Sequence, residues 1–222
     1  MNVPSASTGA ASPRNDRIVR HAGLDRAIHW LAAASVLTLL ATAFLPILGI
    51  EFSWVTIHWV AGAVLIAVVL VHIVRASFWQ DLGAIWIDGR DLRDAIAIVR
   101  TTLRVGSPAP AKPGKYSFAQ KLIHWAFTLV ILVSIATGGL IMVKIDTPWW
   151  DRNPYWLSDA TWGPIYVLHD LAALCLITMV MAHVYFAIRP EKRPFTRSMI
   201  LGWITREEYR EQHDPKRWQV DR

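Results

Sequence analysis

Four long apolar stretches set the terms for this chain. They cover residues 28–48, 55–78, 119–143 and 164–188 of a 222-residue sequence. Each reaches the ~20 residues that a helix needs to cross the hydrocarbon core of a bilayer. A soluble core can bury one such run. Four of them leave too little polar sequence to cover the rest, since only 18% of residues are charged and 54% are hydrophobic. With no water in the hydrocarbon to satisfy backbone N–H and C=O groups, each stretch must satisfy its own, which means a helix. The expected fold is all-α: an integral membrane four-helix bundle, up-down, with the lipid bilayer as solvent.

The charges report topology. Residues 1–28 hold four Arg, the connection 49–54 has no Lys or Arg, residues 75–121 hold eight, 144–162 hold two, and the chain from Arg189 holds nine. That alternation places both termini and the middle connection in the cytoplasm by the positive-inside rule. A net charge of +6 spent this way gives no reason to expect nucleic acid. Trp54, Trp149, Trp150, Trp156 and Trp162 fall at the outer ends of the spans, and Trp30, Trp79, Trp86 and Trp125 at the inner ends, as an interfacial aromatic belt requires.

Three regions follow. Residues 1–20, rich in Ser, Ala and Pro at the start, are expected to be a disordered cytoplasmic segment without the apolar core of a secretory signal. Residues 21–188 carry the four spans, and 189–222 form a basic cytoplasmic tail. Between the second and third spans, Leu92, Ile96, Val99 and Leu103 recur at helical spacing among charges, the pattern of a short amphipathic surface helix. "SPAPAKPG" should break it. The outer connection "DTPWWDRNPYWLSDATWGP" reads equally as an interfacial cap or a docking surface. Cys175 is the sole cysteine, so no internal disulfide and no all-cysteine iron–sulfur cluster is available.

The chain repeats itself. The first and third spans open on His-Trp (His29, Trp30; His124, Trp125) and carry Ala-Thr twelve and thirteen residues later (Ala41, Thr42; Ala136, Thr137). The second and fourth share His-x13-His, as His58/His72 and His169/His183. A helical hairpin has been used twice. Fourteen residues return to nearly the same helix face about 21 Å further on. Span direction then sorts six histidines into an outer layer, His58 and His169, and an inner layer, His29, His72, His124 and His183. His21 and His213, in polar sequence, are expected to be exposed.

Polar groups at membrane depth are costly and usually functional. Zinc asks for three or four ligands, and no HExxH or thiolate set is present. Facing imidazoles at two depths suit two stacked b-type haems, each iron taking two axial ligands, with Ala61, Gly62, Ala172 and Ala173 giving room in the bundle. The inner layer offers four histidines for two positions.

These features resemble a known group. "RHAGLDRAIHW", "IHWVAGA", "GKYSFAQKLIHW", "LHDLAA", "MAHVYFAI" and "SMILGWITREEYREQHDPKRW" are similar to the gamma subunit of membrane-bound formate dehydrogenase, within the bacterial di-haem cytochromes b that include hydrogenase cytochrome b subunits and prokaryotic cytochrome b561. The resemblance implies two haem b groups, the outer on His58 and His169 and the inner on His29 and His183, with His72 and His124 as inner alternatives. It implies a quinone site, for menaquinone or ubiquinone, around Gly114, Tyr116, Ser117 and Gln120 near His183. Arg26, Arg75, Lys121 and Arg189 would face haem propionates. The implied role is an electron-transfer subunit of the bacterial inner membrane, linking an iron–sulfur or other redox subunit of a dehydrogenase to the quinone pool. No CxxC framework or nucleotide loop equips the chain to oxidise a substrate alone. A stand-alone quinone oxidoreductase of the cytochrome b561 sort is the alternative.

Overall fold

A computed structural model describes residues 16–103 and 111–220. Four long helices dominate it: α1 (Gly23–Phe44), α2 (Trp54–Trp79), α4 (Phe118–Ile141) and α5 (Asp159–Ile188), with the shorter α3 (Gly89–Thr102) between α2 and α4. All four long helices are long and apolar enough to cross a membrane. α1 packs along α2 and α4 along α5, and the two hairpins meet where α2 touches α4. The apolar core is small, built on Val36, Leu40, Leu65 and Leu176. Large apolar side chains such as Leu37, Leu70, Leu129, Leu171 and Leu174 point outward instead. A helix apolar all round belongs among other helices or in lipid.

The helix limits differ from the hydropathy limits for local reasons. α1 starts at Gly23, ahead of the apolar run, since the charged Asp25 and Arg26 of its first turns fall outside that run, and it stops at Phe44, just before Pro46. α5 starts at Asp159 and carries Pro164 inside its second turn. α4 is opened by a capping box in which Ser117 accepts from the Gln120 N–H while the Gln120 side chain accepts from the Ser117 N–H. This satisfies two of the donors that a helix start leaves free. Asp88 and Asp91 do the same for α3, whose Leu92, Ile96 and Val99 are exposed. Of the break expected at "SPAPAKPG", residues 107–110 lie outside the described residues, and α3 has ended before it at Thr102.

The segments flanking the spans are folded. Arg17–Val19 (β1) pairs antiparallel with Trp203–Thr205 (β2), Ile18 opposite Ile204. This corrects the expectation of disorder as far as residue 20; residues 1–15 lie outside the described part. The tail continues from α5 into α6 (Arg193–Leu201), β2 and α7 (Arg206–Gln212). Gly202 ends α6 with φ 93°, a left-handed conformation open to glycine. A Cβ there would also stand 3.0 Å from the His21 carbonyl oxygen.

His213 is likewise corrected from exposed to buried, at 1% exposure. Its Nδ1–H donates to the Gly114 carbonyl at 2.6 Å, and its Nε2 accepts from Arg20 Nη1 at 2.7 Å. Arg20 also donates to the Lys115 carbonyl at 2.7 Å. One clasp therefore ties the N-terminal strand, the segment before α4 and the tail. His21 is half-buried rather than exposed. The bundle thus has a terminal end, with both flanking segments and α3, and a loop end.

Candidate functional site: paired histidines

The six histidines of the spans form three facing pairs, each joining the two hairpins. His58 on α2 faces His169 on α5 at the loop end, ring centres 6.3 Å apart. At the terminal end His29 on α1 faces His183 on α5 at 6.4 Å. His72 on α2 faces His124 on α4 at 6.2 Å. A metal–imidazole nitrogen bond is about 2.0–2.1 Å, and the ring centre lies about 1.1 Å beyond, so two imidazoles gripping one metal from opposite sides stand about 6.3 Å apart. Two imidazoles sharing a hydrogen bond would be closer, at about 5 Å. The spacing therefore suits an ion between the rings.

Threonines set the loop-end rings. Thr42 Oγ1 lies 2.8 Å from His58 Nδ1, and Thr137 Oγ1 lies 2.9 Å from His169 Nδ1. Each hydroxyl spends its proton on its own helix: Thr42 on the Thr38 carbonyl at 2.8 Å and Thr137 on the Val133 carbonyl at 2.7 Å. The hydroxyl oxygen is left to accept, so Nδ1 must carry the ring proton. Nε2 then keeps its lone pair, the form that ligates a metal. Gly138 lets the His169 ring close on α4, since a Cβ there would meet His169 Cε1 at 3.1 Å. The Ala-Thr repeat carries this role, and its fixed offset from His-Trp is the sequence signal for it.

Among the described residues no group of three or more His, Cys, Asp or Glu could hold a metal ion. A bare cation would find two ligands at each pair. Haem brings four nitrogens of its own and asks the protein for two, so the residues present fit haem.

The residues expected around a quinone lie at the terminal end. Gly114 accepts from His213, and a Cβ on it would stand 3.1 Å from the Arg217 carbonyl. Ser117 and Gln120 cap α4. Tyr116 lies under the Arg20 guanidinium at 5.6 Å, its ring 6.4 Å from that of His21. Burial raises the Tyr116 phenol above its ordinary value. Burial first, then the Arg20 and Lys115 charges, drive His21 down to about 3. His21 is therefore neutral at pH 7.

The cations expected near haem edges are mostly committed elsewhere. Arg75 pairs with Asp25, which Gln80 also contacts. Lys121 pairs with Asp91 at 2.8 Å and donates to the Trp86 carbonyl at 2.9 Å. Arg189 pairs with Glu191 at 3.2 Å. Arg26 donates to the Ile200 carbonyl through Nη1, while its buried Nε has no hydrogen-bond partner.

Comparison with known proteins gives the family. Residues 20–202 match the family model of prokaryotic cytochrome b561. The chain is 29% identical over 214 residues, 92% of its length and 93% of the relative's, to the formate dehydrogenase cytochrome b556(fdo) subunit of Escherichia coli K12. It is 26% identical over 216 residues, 91% of its length and 82% of the relative's, to the formate dehydrogenase cytochrome b556 subunit of Haemophilus influenzae. With four spanning helices and a match over most of its length, this chain belongs to the prokaryotic cytochrome b561 family and is a membrane cytochrome b of respiratory electron transfer.

Proposed function

We propose that this chain is the membrane subunit through which a dehydrogenase complex exchanges electrons with the quinone pool. The observation that carries the reading is the His58–His169 pair, 6.3 Å apart with both Nδ1 atoms tied to threonine. In this reading His58 and His169 hold one haem b, and His29 and His183 hold another. Bound there, haem supplies reversible one-electron exchange. The protein residues fix the ligands: Thr42 and Thr137 set the tautomer, and Gly138 sets the ring position. The relatives are named as formate dehydrogenase subunits, which supports an iron–sulfur or other redox subunit of a dehydrogenase as the partner. The aromatic loop-end connection, with Tyr155 and Trp149 exposed, offers it a surface.

The proposed quinone site, for menaquinone or ubiquinone, lies at the terminal end, taken as cytoplasmic from the distribution of Lys and Arg. Its support is the position of Tyr116 beside His21, ring centres 6.4 Å apart, with burial and the Arg20 and Lys115 charges keeping His21 uncharged. Neutral His21 can hydrogen-bond a quinone carbonyl. Lys115, its cation weakened by burial and by Arg20, can hand over a proton. Gly114, Ser117 and Gln120 shape the wall by holding the tail and the start of α4.

The test is a reduced-minus-oxidised spectrum with a haem count on the purified full chain. A b-type alpha band is expected, and His58→Ala or His169→Ala should each remove one haem and leave the others. No alpha band, or a full haem count in either variant, overturns the reading. Co-purification with an iron–sulfur subunit is expected; isolation as a lone, active quinone reductase would overturn the subunit assignment.

A further inference from the structure

We propose that His72 and His124 hold a third haem, the symmetry mate of the one on His29 and His183. The proposal rests on the haem-binding reading above and extends it to a pair that reading leaves unused.

The argument is the duplication. Superposing the hairpins by sequence equates His29 with His124, Thr42 with Thr137, His58 with His169 and His72 with His183. Both hairpins enter from the same end, so they are parallel repeats related by an axis along the membrane normal. Such an axis maps the His58–His169 pair onto itself. It maps His29–His183 onto His124–His72. The structure obeys this operation at several contacts, with Phe127 against His183 and Ala32 at the equivalent position as a departure. The two terminal-end pairs stand at 6.4 and 6.2 Å. The threonine contacts are 2.8 and 2.9 Å. The Trp beside each first histidine sits edge-on to it, at 81° and 80°. Trp30 and Trp125 each donate to a backbone carbonyl at 3.2 Å, of Met199 and Ile85. Arg26 and Lys121, each three residues before the histidine, also donate to backbone carbonyls, of Ile200 and Trp86.

Equivalent surroundings give equivalent chemistry. Two imidazoles at membrane depth without a shared partner would be costly. The 6.2 Å spacing exceeds the roughly 5 Å of a hydrogen-bonded pair. Two ligands leave a zinc ion short of the four it takes in a structural site, whereas a porphyrin needs no more than two. The ligand class is thus an iron porphyrin, as at the other pairs.

The experiment is the haem-to-chain ratio of the intact protein in detergent, by pyridine haemochrome against quantitative amino-acid analysis, with a redox titration. Three haems per chain are expected in the unsubstituted protein. Two are expected in His72→Ala, in His124→Ala and in the double variant, whose equality shows that both residues serve one site. His72→Gly supplied with free imidazole should recover the third. This rescue separates a ligand from a residue needed only for packing. Two haems in the unsubstituted protein overturn the proposal, whether or not His72→Ala then loses one, and leave the cytochrome reading intact. No haem at all overturns that reading itself. The unsubstituted ratio needs no variant to fold, so the proposal remains open to refutation even where a substitution unfolds the bundle.

Discussion

Thr42 Oγ1 lies 2.8 Å from Nδ1 of His58, and its own proton is already given to the Thr38 carbonyl. This single relationship fixes which nitrogen of His58 is protonated and leaves Nε2 with its lone pair. The duplicate, Thr137 with His169, does the same from the other hairpin. The tautomer is therefore set by a residue on a different helix from the histidine.

Replacing Thr42 or Thr137 by Val keeps the shape and removes the acceptor. Loss of a hydrogen bond behind a ligating histidine typically lowers affinity about 10–100-fold. Haem should leave the loop-end pair faster, with the His29–His183 pair unchanged. Transfer of haem to an apo-acceptor protein, followed over time, measures this.

Gly138→Ala should displace the His169 ring, because the new Cβ would meet Cε1 at 3.1 Å. Gly139→Ala has nothing within 4 Å of its new atom and serves as the control. Reduced haem occupancy or a shifted alpha band is expected for the first and neither for the second.

The Arg20–His213 clasp should open in acid. Burial and the Arg20 charge hold His213 down to about 4, against 6.5 for a free side chain, with the Gly114 contact opposing. The depressed value means that the clasp is at full strength above pH 6.5 and weakens as pH falls towards 4. The linkage contribution is about 3 kcal/mol. Limited proteolysis of residues 203–220 should rise across that window. His213→Gln, which can still donate to Gly114 and accept from Arg20, should flatten the dependence.

Lys121 and Asp91 tie α4 to α3 with side chains only 10% and 13% exposed. Asp91→Ala strands that ammonium and removes half of the α3 capping box. Stranding a largely buried partner costs about 3–5 kcal/mol. The variant should lose folded protein at lower temperature in detergent, while the Asp91→Ala, Lys121→Met double variant should recover part of the loss.

The legible and the illegible parts of this molecule separate cleanly. The spans, the duplicated hairpin and the depth of each histidine were readable, since hydropathy, span direction and a 1.5 Å rise act along one helix at a time. The Gly114–Gln120 stretch was singled out, but Ser117 and Gln120 also cap α4, a role that capping-box spacing alone could have revealed. From sequence the tail reads only as a basic cytoplasmic segment. Ile204, 1% exposed, and His213 show it docked, because a short strand and one buried histidine leave little periodic signal.

By itself, then, the sequence determined that the chain crosses a bilayer four times and carries imidazoles at two depths, because apolar length and helical rise are properties of each segment alone. Only the tertiary structure decided which imidazole meets which. Four histidines share the terminal-end layer, and depth does not separate them. The lateral packing of α1 on α2 and α4 on α5 brings His29 to His183 and His72 to His124. That partnering depends on how helices distant in sequence rotate against each other, a quantity that no single segment encodes.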